Sequence, residues 1–231
     1  MSGSELAQQP PSPSPWPMYR AMVGVGVACG LLIVTVFQGT LPIIQRNKAE
    51  ALQKAIFRVL PKATTSAAFG FDPTRGFVSD PGDSLGMRRV YAGYDDTGAL
   101  VGVALEAQGM GYQDVIGIIY GYSFEEHAII GMEVLESKET PGLGDKIETD
   151  PDFVANFNRL DVSLADDGTG LAHPIVAVAR GTKTEPWQVD SITGATISSE
   201  AIAAILNGSA QTWVPRIEGH LDDLKRGNDN R

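Results

Sequence analysis

The segment with the most distinctive chemistry covers residues 189–206 and reads VDSITGATISSEAIAAIL. Its pattern predicts a strand end, a tight turn at residues 194–195, and a helix capped by Ser198 or Ser199. Free backbone N–H groups and the positive end of the helix dipole meet at the start of such a helix. The segment is therefore a candidate phosphate site, with the Thr196 hydroxyl beside the bound anion. A capping turn without a ligand fits the same residues.

A second unusual string covers residues 138–145 and reads KETPGLGD. Pro141 and Gly142 predict a turn after a strand. Turn chemistry does not account for Glu139 and Thr140, which precede that turn. From the residues alone, the string is either an ordinary turn or part of a binding site.

Other arrangements that could do chemistry are weak. The histidines, His127, His173 and His220, are far apart in sequence and lack the spacing of zinc ligands. The single cysteine, Cys29, excludes a disulfide framework and any cysteine-ligated iron–sulfur cluster within this chain. Acidic pairs such as residues 166–167 are expected to be solvated loop charges rather than a hydrolase dyad. We therefore expect no catalytic acid or base and no metal site.

The charge distribution separates two parts of the chain. Residues 1–44 contain only Glu5 and Arg20 as charged residues, so the formal net charge of −10 lies in residues 45–231. An acidic domain is a poor partner for nucleic acid, because that affinity depends on Lys and Arg displacing counterions from phosphates.

The remaining pattern predicts an α+β domain, with a mainly antiparallel sheet and flanking helices. Segments rich in β-branched or aromatic residues predict strands at residues 89–93, 100–107, 115–120, 129–135 and 175–179. Residues 95–98, DDTG, predict a hairpin turn between the first two. Residues 62–86 predict loops and short strands. A helix is expected over residues 152–160, and another from near Ser199.

The N-terminal part predicts a membrane anchor. Residues 1–20 form a Pro/Ser-rich tail, and residues 21–44 form an uncharged run. At a rise of about 1.5 Å per residue, that run is long enough to cross a hydrocarbon core of about 30 Å. A cleaved signal peptide is the alternative, but its apolar region is usually only about 7 to 15 residues long. A lipoprotein cleavage before Cys29 is a further alternative.

Residues 45–61 predict an amphipathic juxtamembrane helix that ends at Pro61. Residues 62–231 then form the main domain. Basic residues crowd this side of the anchor, and a simple count of them places the domain in the cytoplasm. Because these residues lie on a folded helix rather than in a short loop, the count is weak evidence for topology.

The string at residues 190–198, DSITGATIS, resembles the D-x-x-[ST]-G-A-T-x-[ST] signature of FMN-binding domains. In that family a flavin transferase esterifies the last threonine of the motif to the phosphate of FMN, and the matching residue here is Thr196. Residues 138–144, KETPGLG, are similar to a second loop of the same family. The resemblance therefore implies covalent FMN on Thr196 and a flavin-facing loop at residues 139–144.

The order of anchor, helix and FMN domain is similar to that of the G subunits of Rnf-type ferredoxin:NAD ion-translocating complexes. The C subunits of sodium-pumping NADH:quinone reductases share the flavin motif and are the alternative, together with an anchored module that binds FMN reversibly. The resemblance implies electron relay within a complex, other membrane subunits and a flavin transferase as partners, and a single pass through the bacterial inner membrane with a periplasmic domain. The cofactor-binding residues that it implies are Asp190, Thr193, Gly194, Ala195, Thr196, Ser198, Glu139, Thr140, Pro141, Gly142, Leu143 and Gly144.

Overall fold

The computed structural model describes residues 14–79 and 89–226. They fall into two compact units that divide between Ala49 and Glu50. The predicted tail at residues 1–20 lies mostly outside the described residues.

Helix α1, Trp16–Val59, contains the predicted anchor and most of the predicted juxtamembrane helix without a break. Its most apolar window has a mean hydropathy of 2.1, and the helix is long and apolar enough to cross a membrane. The helix ends immediately before Leu60 and Pro61. Proline at position 61 cannot donate the backbone hydrogen bond that a further turn would need.

The second unit is built on a seven-stranded sheet in the order β2-β1-β3-β4-β5-β6-β7, with every neighbouring pair antiparallel. A separate two-stranded parallel sheet pairs β8 with β9. The strands are β1 Thr65–Asp72, β2 Gly76–Ser79, β3 Arg89–Tyr94, β4 Leu100–Met110, β5 Val115–Ser123, β6 Ala128–Glu136, β7 Leu160–Asp161, β8 Val176–Val178 and β9 Gln188–Asp190. The prediction of an α+β fold with a mainly antiparallel sheet is confirmed.

The hairpin between β3 and β4 turns where the sequence predicts it. The Asp95 carboxylate accepts hydrogen bonds from the backbone N–H groups of Thr97 and Ala99, both at 2.9 Å. Gly98 adopts a φ of 84°, which residues with a side chain rarely reach.

The sheet packs on both faces, because successive residues of a strand point to opposite sides. One face carries the main core together with helix α4, Thr196–Gly219, which is followed by α5, Leu221–Arg226. The other face packs against the end of α1 through Ala55, Ile56 and the residues that follow.

Glycines on this second face let the end of α1 lie almost directly on the strands. They form the cross-strand pairs Gly93–Gly102 and Gly121–Gly131. A Cβ at Gly131 would lie 2.8 Å from the Cα of Val59, and a Cβ at Gly121 would overlap the Val59 carbonyl oxygen. The helix backbone therefore occupies the space that side chains would take.

The helix expected over residues 152–160 is shorter and starts earlier. After α2, Lys146–Thr149, helix α3 covers Pro151–Ala155 and a 3-10 turn covers Asn156–Asn158. The Asp150 carboxylate caps α3 by accepting from the N–H groups of Asp152 and Phe153. The expectation is wrong at its end, because residues 160–161 pair with β6 as strand β7.

Candidate functional site

Thr196 is the first residue of α4, and its side chain is exposed. The preceding residue, Ala195, occupies the capping position and makes no side-chain hydrogen bond to the helix. The first N–H groups of an α-helix have no partner within the helix, so this N-terminus is open to an acceptor from outside. Gly194 makes the tight turn before it, with a φ of 86°.

The prediction that Ser198 or Ser199 caps this helix is wrong, because the helix begins before both. Each serine lies in the first turn and is buried. The Ser199 hydroxyl accepts from the Ile192 N–H at 3.1 Å and donates to the Ala195 carbonyl at 2.9 Å. Ser199 thus ties the turn to the helix from inside and leaves the outer side, where Thr196 lies, unobstructed.

Ser198 points away from the turn and donates its hydroxyl to Oε2 of Glu139 at 2.5 Å. The other carboxylate oxygen, Oε1, accepts from the backbone N–H of Gln113 at 3.0 Å. Burial opposes ionisation of Glu139, but hydrogen bonds from Ser198 and the backbone of residues 112–114 hold its pKa below the ordinary value of a glutamate. A single buried carboxylate therefore joins three segments that are distant in sequence.

Two glycines make room for this carboxylate. A Cβ at Gly111 would lie 2.5 Å from Oε1 of Glu139, and a Cβ at Gly144 would lie 2.7 Å from Oε2. Both distances are too short for a side chain to be accommodated without movement of the carboxylate. Of the two, the sequence motif contains Gly144, and the structure adds Gly111 from the β4–β5 loop.

The rest of the 138–145 loop is a turn at the surface. The N–H of Leu143 donates to the Thr140 carbonyl at 3.1 Å, and Gly142 adopts a φ of 78°. The Thr140 hydroxyl donates to the side-chain oxygen of Gln113 at 3.1 Å. Pro141, Gly142 and Leu143 are exposed.

Asp190 holds the other side of the turn before Thr196. Its Oδ1 accepts from the N–H groups of Gly181 and Lys183 at 3.0 and 3.2 Å. The Asp190 backbone N–H donates to the side-chain oxygen of Asn156 at 3.0 Å. Thr193 lies in the turn and is exposed. Asp190 thus anchors the end of β9, and the turn to Thr196 starts from a fixed point.

The structure brings both sequence motifs to one place. Glu139 and Ser198 are 59 positions apart and are directly bonded. The sequence missed the third participant, the β4–β5 loop with Gly111, Tyr112 and Gln113. From its sequence, this loop is predicted only as the end of a strand. Its role in the site depends on backbone N–H groups, which nearly every residue type provides, so the sequence gives no signal for it.

Two tryptophans of the second unit pack against other rings. Trp213 packs edge-on against Phe71, and Trp187 stacks on His173 with ring centroids 3.7 Å apart. Trp213 follows Thr196 by 17 positions in α4, about 25 Å along the helix axis. Within residues 14–79 and 89–226, no three His, Cys, Asp or Glu side chains are grouped closely enough to hold a metal ion.

Comparison with known proteins assigns this region to a family. A model of the FMN-binding domain matches residues 111–211, which include both motifs and the β4–β5 loop. The G subunit of an ion-translocating oxidoreductase complex from Methanosarcina acetivorans is 33% identical over 199 residues, covering 86% of this chain and 93% of that protein. The chain belongs to this family of G subunits. The corresponding G subunit from Escherichia coli K12 is 33% identical over 158 residues, covering 68% of this chain and 70% of that protein.

Solved structures share the fold. The crystal structure of Shewanella oneidensis NqrC superposes with a TM-score of 0.59 at 19% identity, covering 78% of this chain and 99% of that one. The C subunit of the sodium-translocating NADH-quinone reductase from Parabacteroides distasonis gives a TM-score of 0.58 at 18% identity, covering 74% of this chain and 94% of that one. These structures show the fold, an α+β domain, while the sequence relatives and the matched FMN-binding domain show that the chain is a subunit of the ion-translocating oxidoreductase type.

Proposed function

We propose that this protein carries FMN covalently, through a phosphoester bond to Thr196, and relays electrons within an Rnf-type ferredoxin:NAD complex. The observation that carries the proposal is the exposed Thr196 side chain at an open helix N-terminus. Its position within the matched FMN-binding domain adds support. The resemblance of residues 190–198 to the flavin attachment signature selects this threonine among the others.

The residues around Thr196 fit a phosphate. The N–H groups of the first turn of α4 point out of the helix and favour a negative charge, as does the helix dipole. Gly194 presents no side chain to the approaching group, and the Ala195 methyl is buried in the core. Asp190 faces the 181–183 backbone, where its negative charge is engaged by N–H groups. No carboxylate is required as an acid or base, because the bound flavin supplies the redox chemistry.

The proposal gives tasks to the other motif residues. Asp190 and Thr193 hold the turn or are recognised by the flavin transferase. Ser198 and Glu139 fix the first turn of α4 against the 139–144 loop, so that Thr140, Pro141, Gly142, Leu143 and Gly144 border the flavin. A covalent tether keeps the cofactor in place in every redox state.

Helix α1 supplies the membrane attachment in this proposal. Its apolar window spans the bilayer once, and the domain after Glu50 lies on the periplasmic side of the bacterial inner membrane. The other subunits of the complex are its electron donor and acceptor, and a flavin transferase acts on it during maturation. The relatives that share at least 30% identity over most of the chain are G subunits. They favour the Rnf type over the sodium pump.

The test is denaturing mass spectrometry of the full chain produced together with a flavin transferase. We expect an added mass of FMN less one water that survives denaturation and maps to Thr196. The variant Thr196→Val should fold and lack this mass. Thr212→Val removes another exposed threonine of the same helix and should retain it. Attached flavin on Thr196→Val would refute the acceptor, and flavin released on denaturation of the native chain would establish the reversible module instead.

A further inference from the structure

One buried amide side chain connects the end of helix α3 to the end of strand β9. Asn156 begins the 3-10 turn after α3 and is only 6% exposed. Its Nδ2 donates to the carbonyl oxygens of Phe153 at 3.0 Å and Asp190 at 3.2 Å. Its Oδ1 accepts from the backbone N–H of Asp190 at 3.0 Å. Asn156 therefore binds both backbone polar groups of a residue that lies 34 positions away.

This contact takes the place of a second partner strand for β9. Within residues 14–79 and 89–226, β9 pairs with β8 alone. The N–H of Ser191 donates to the Val178 carbonyl of β8 at 2.9 Å. Backbone groups of successive residues point to alternate sides of a strand, so the N–H and C=O of Asp190 point away from β8. Asn156 binds them on that side, as an antiparallel neighbour would.

The turn that leads from Asp190 to Thr196 is thereby held at both ends. At its far end, the N–H of Ile192 donates to the Ser199 hydroxyl at 3.1 Å. Thr193 and Gly194, between the two ends, are exposed. The near end is fixed through Asp190, and Asn156 is the side chain that fixes the Asp190 backbone.

The Asn156 amide is itself held in one orientation. Besides the Asp190 N–H, its Oδ1 accepts from Nζ of Lys183 at 3.2 Å. Its Nδ2 is engaged by the two carbonyl oxygens of Phe153 and Asp190. The two ends of the amide thus have different partners, which fixes the direction in which the side chain presents its donor and its acceptor.

We propose that Asn156 is a positioning residue for flavin attachment, which sets the place of the Thr196 hydroxyl by binding the backbone of Asp190. This inference rests on the proposed attachment of FMN to Thr196. Asn156 acts through Asp190 and the turn rather than by contact with the reacting oxygen.

The rate of attachment is the property that such a residue controls. Transfer requires the hydroxyl oxygen to approach the phosphorus in line, and a misplacement of about 1 Å can slow a reaction about 100-fold. A residue that only stabilised the fold would change the fraction of folded chain, and it would leave the rate of the folded chain unchanged.

The experiment measures attachment on the full chain, produced without flavin and kept in detergent. A flavin transferase and a flavin dinucleotide donor are added. The Thr196 oxygen forms a bond to the FMN phosphorus as the pyrophosphate bond of the donor breaks, the nucleoside monophosphate leaves, and the hydroxyl proton passes to solvent. The covalent mass, followed over time at several concentrations of chain, gives kcat and the KM for the chain.

Asn156→Ala removes every bond of the amide and should lower kcat about tenfold or more. The KM for the chain should stay within about twofold, because the exposed surface of the turn is retained. Asn156→Asp keeps an acceptor for the Asp190 N–H and loses the donor to the Asp190 carbonyl, so its kcat should lie between those of Asn156→Ala and the native chain. Circular dichroism at the assay temperature establishes that each variant is folded.

The matched control is Asn207→Ala. Asn207 lies in α4, and its Oδ1 accepts from the backbone N–H of Ile175 at 3.0 Å. The same substitution there removes the same kind of bond from a segment outside the attachment turn. Asn207→Ala should therefore react at the native rate.

The outcomes separate this inference from the proposed function. A native kcat in Asn156→Ala would overturn the positioning role, as would a change in KM alone or equal slowing in Asn207→Ala. If Asn156→Ala does not fold, Asn156→Asp decides, and a native kcat in that variant overturns the role. If the native chain acquires no covalent flavin, the proposed function fails, and this inference fails with it.

Discussion

Glu139 accepts hydrogen bonds from two segments through its two carboxylate oxygens, and both bonds favour the ionised form. Its pKa in the folded protein is below the ordinary value, although burial acts in the opposite direction. For a group with a lowered folded pKa, the stabilisation is fully present above the pKa of the unfolded chain. It is lost as the pH falls through the folded pKa.

We therefore expect Glu139→Gln to reduce the free energy of unfolding by about 1 to 3 kcal/mol at neutral pH, the range for hydrogen bonds to charged groups and for buried groups left unpaired. The difference between native protein and variant should hold down to the pKa of an unfolded glutamate, about 4.3, and shrink below it. Urea unfolding at a series of pH values measures this difference. A difference that stays constant through the acid range would contradict an ionised Glu139.

At this scale the sequence alone selects Thr196 as the proposed acceptor, because the residues of the matching motif are contiguous. It could not identify the bond between Ser198 and Glu139, which joins positions 59 apart and depends on the tertiary fold. The expected serine cap was wrong for a related reason. Serines near a helix start usually cap it, but the buried bonds of Ser198 and Ser199 hold them inside the first turn.

The contact between the end of α1 and the sheet depends on backbone approaching backbone. At Gly121 an added Cβ would overlap the Val59 carbonyl oxygen, which belongs to a rigid helix end and cannot rotate away. Gly117 lies on the same strand, and its nearest neighbour would be the Glu136 Cβ at an ordinary 3.7 Å.

Gly121→Ala should therefore destabilise the protein by about 1 to 3 kcal/mol or more, as overpacking does in other cores. Gly117→Ala, the control, should be neutral or stabilising by up to about 1 kcal/mol, because alanine restricts the unfolded chain. Chemical unfolding of residues 50–231, or of the full chain in detergent, gives both values. Equal stability of the two variants would show that α1 does not lie against these glycines.

The elements themselves were largely predictable. The strands β3 to β6 follow runs of β-branched and aromatic residues, and Asp95 with Gly98 marks their first hairpin. Strands β7 and β9 are only 2 and 3 residues long, too short to carry a periodic pattern. The seven-strand order, and the role of the paired glycines, depend on contacts that local pattern does not encode.

For the whole molecule, two features of the sequence give opposite predictions for the side of the membrane on which the domain lies. The count of basic residues predicts the cytoplasm, and the family resemblance implies the periplasm. Cys29 is the single cysteine of the chain and lies in the apolar part of α1. Asp166 is exposed in the second unit, in the turn before β8. These two positions allow the orientation to be measured.

In a Cys29→Ser background, Asp166→Cys should react with a membrane-impermeant maleimide in intact spheroplasts. The native chain, with Cys29 alone, should stay unlabelled under the same conditions. Labelling of Asp166→Cys only after the membrane is permeabilised would place the domain in the cytoplasm, as the basic residues suggest.

The exposure of Thr196 has a consequence for how the protein is made. The hydroxyl at the start of α4 is at the surface of the folded domain, and the turn before it is held by Asp190, Ser199 and Gly194. An enzyme that attaches a group there needs no access to the interior. With the attachment proposed above, folding can come first and attachment second, and the transferase would act on a finished domain rather than on a nascent chain.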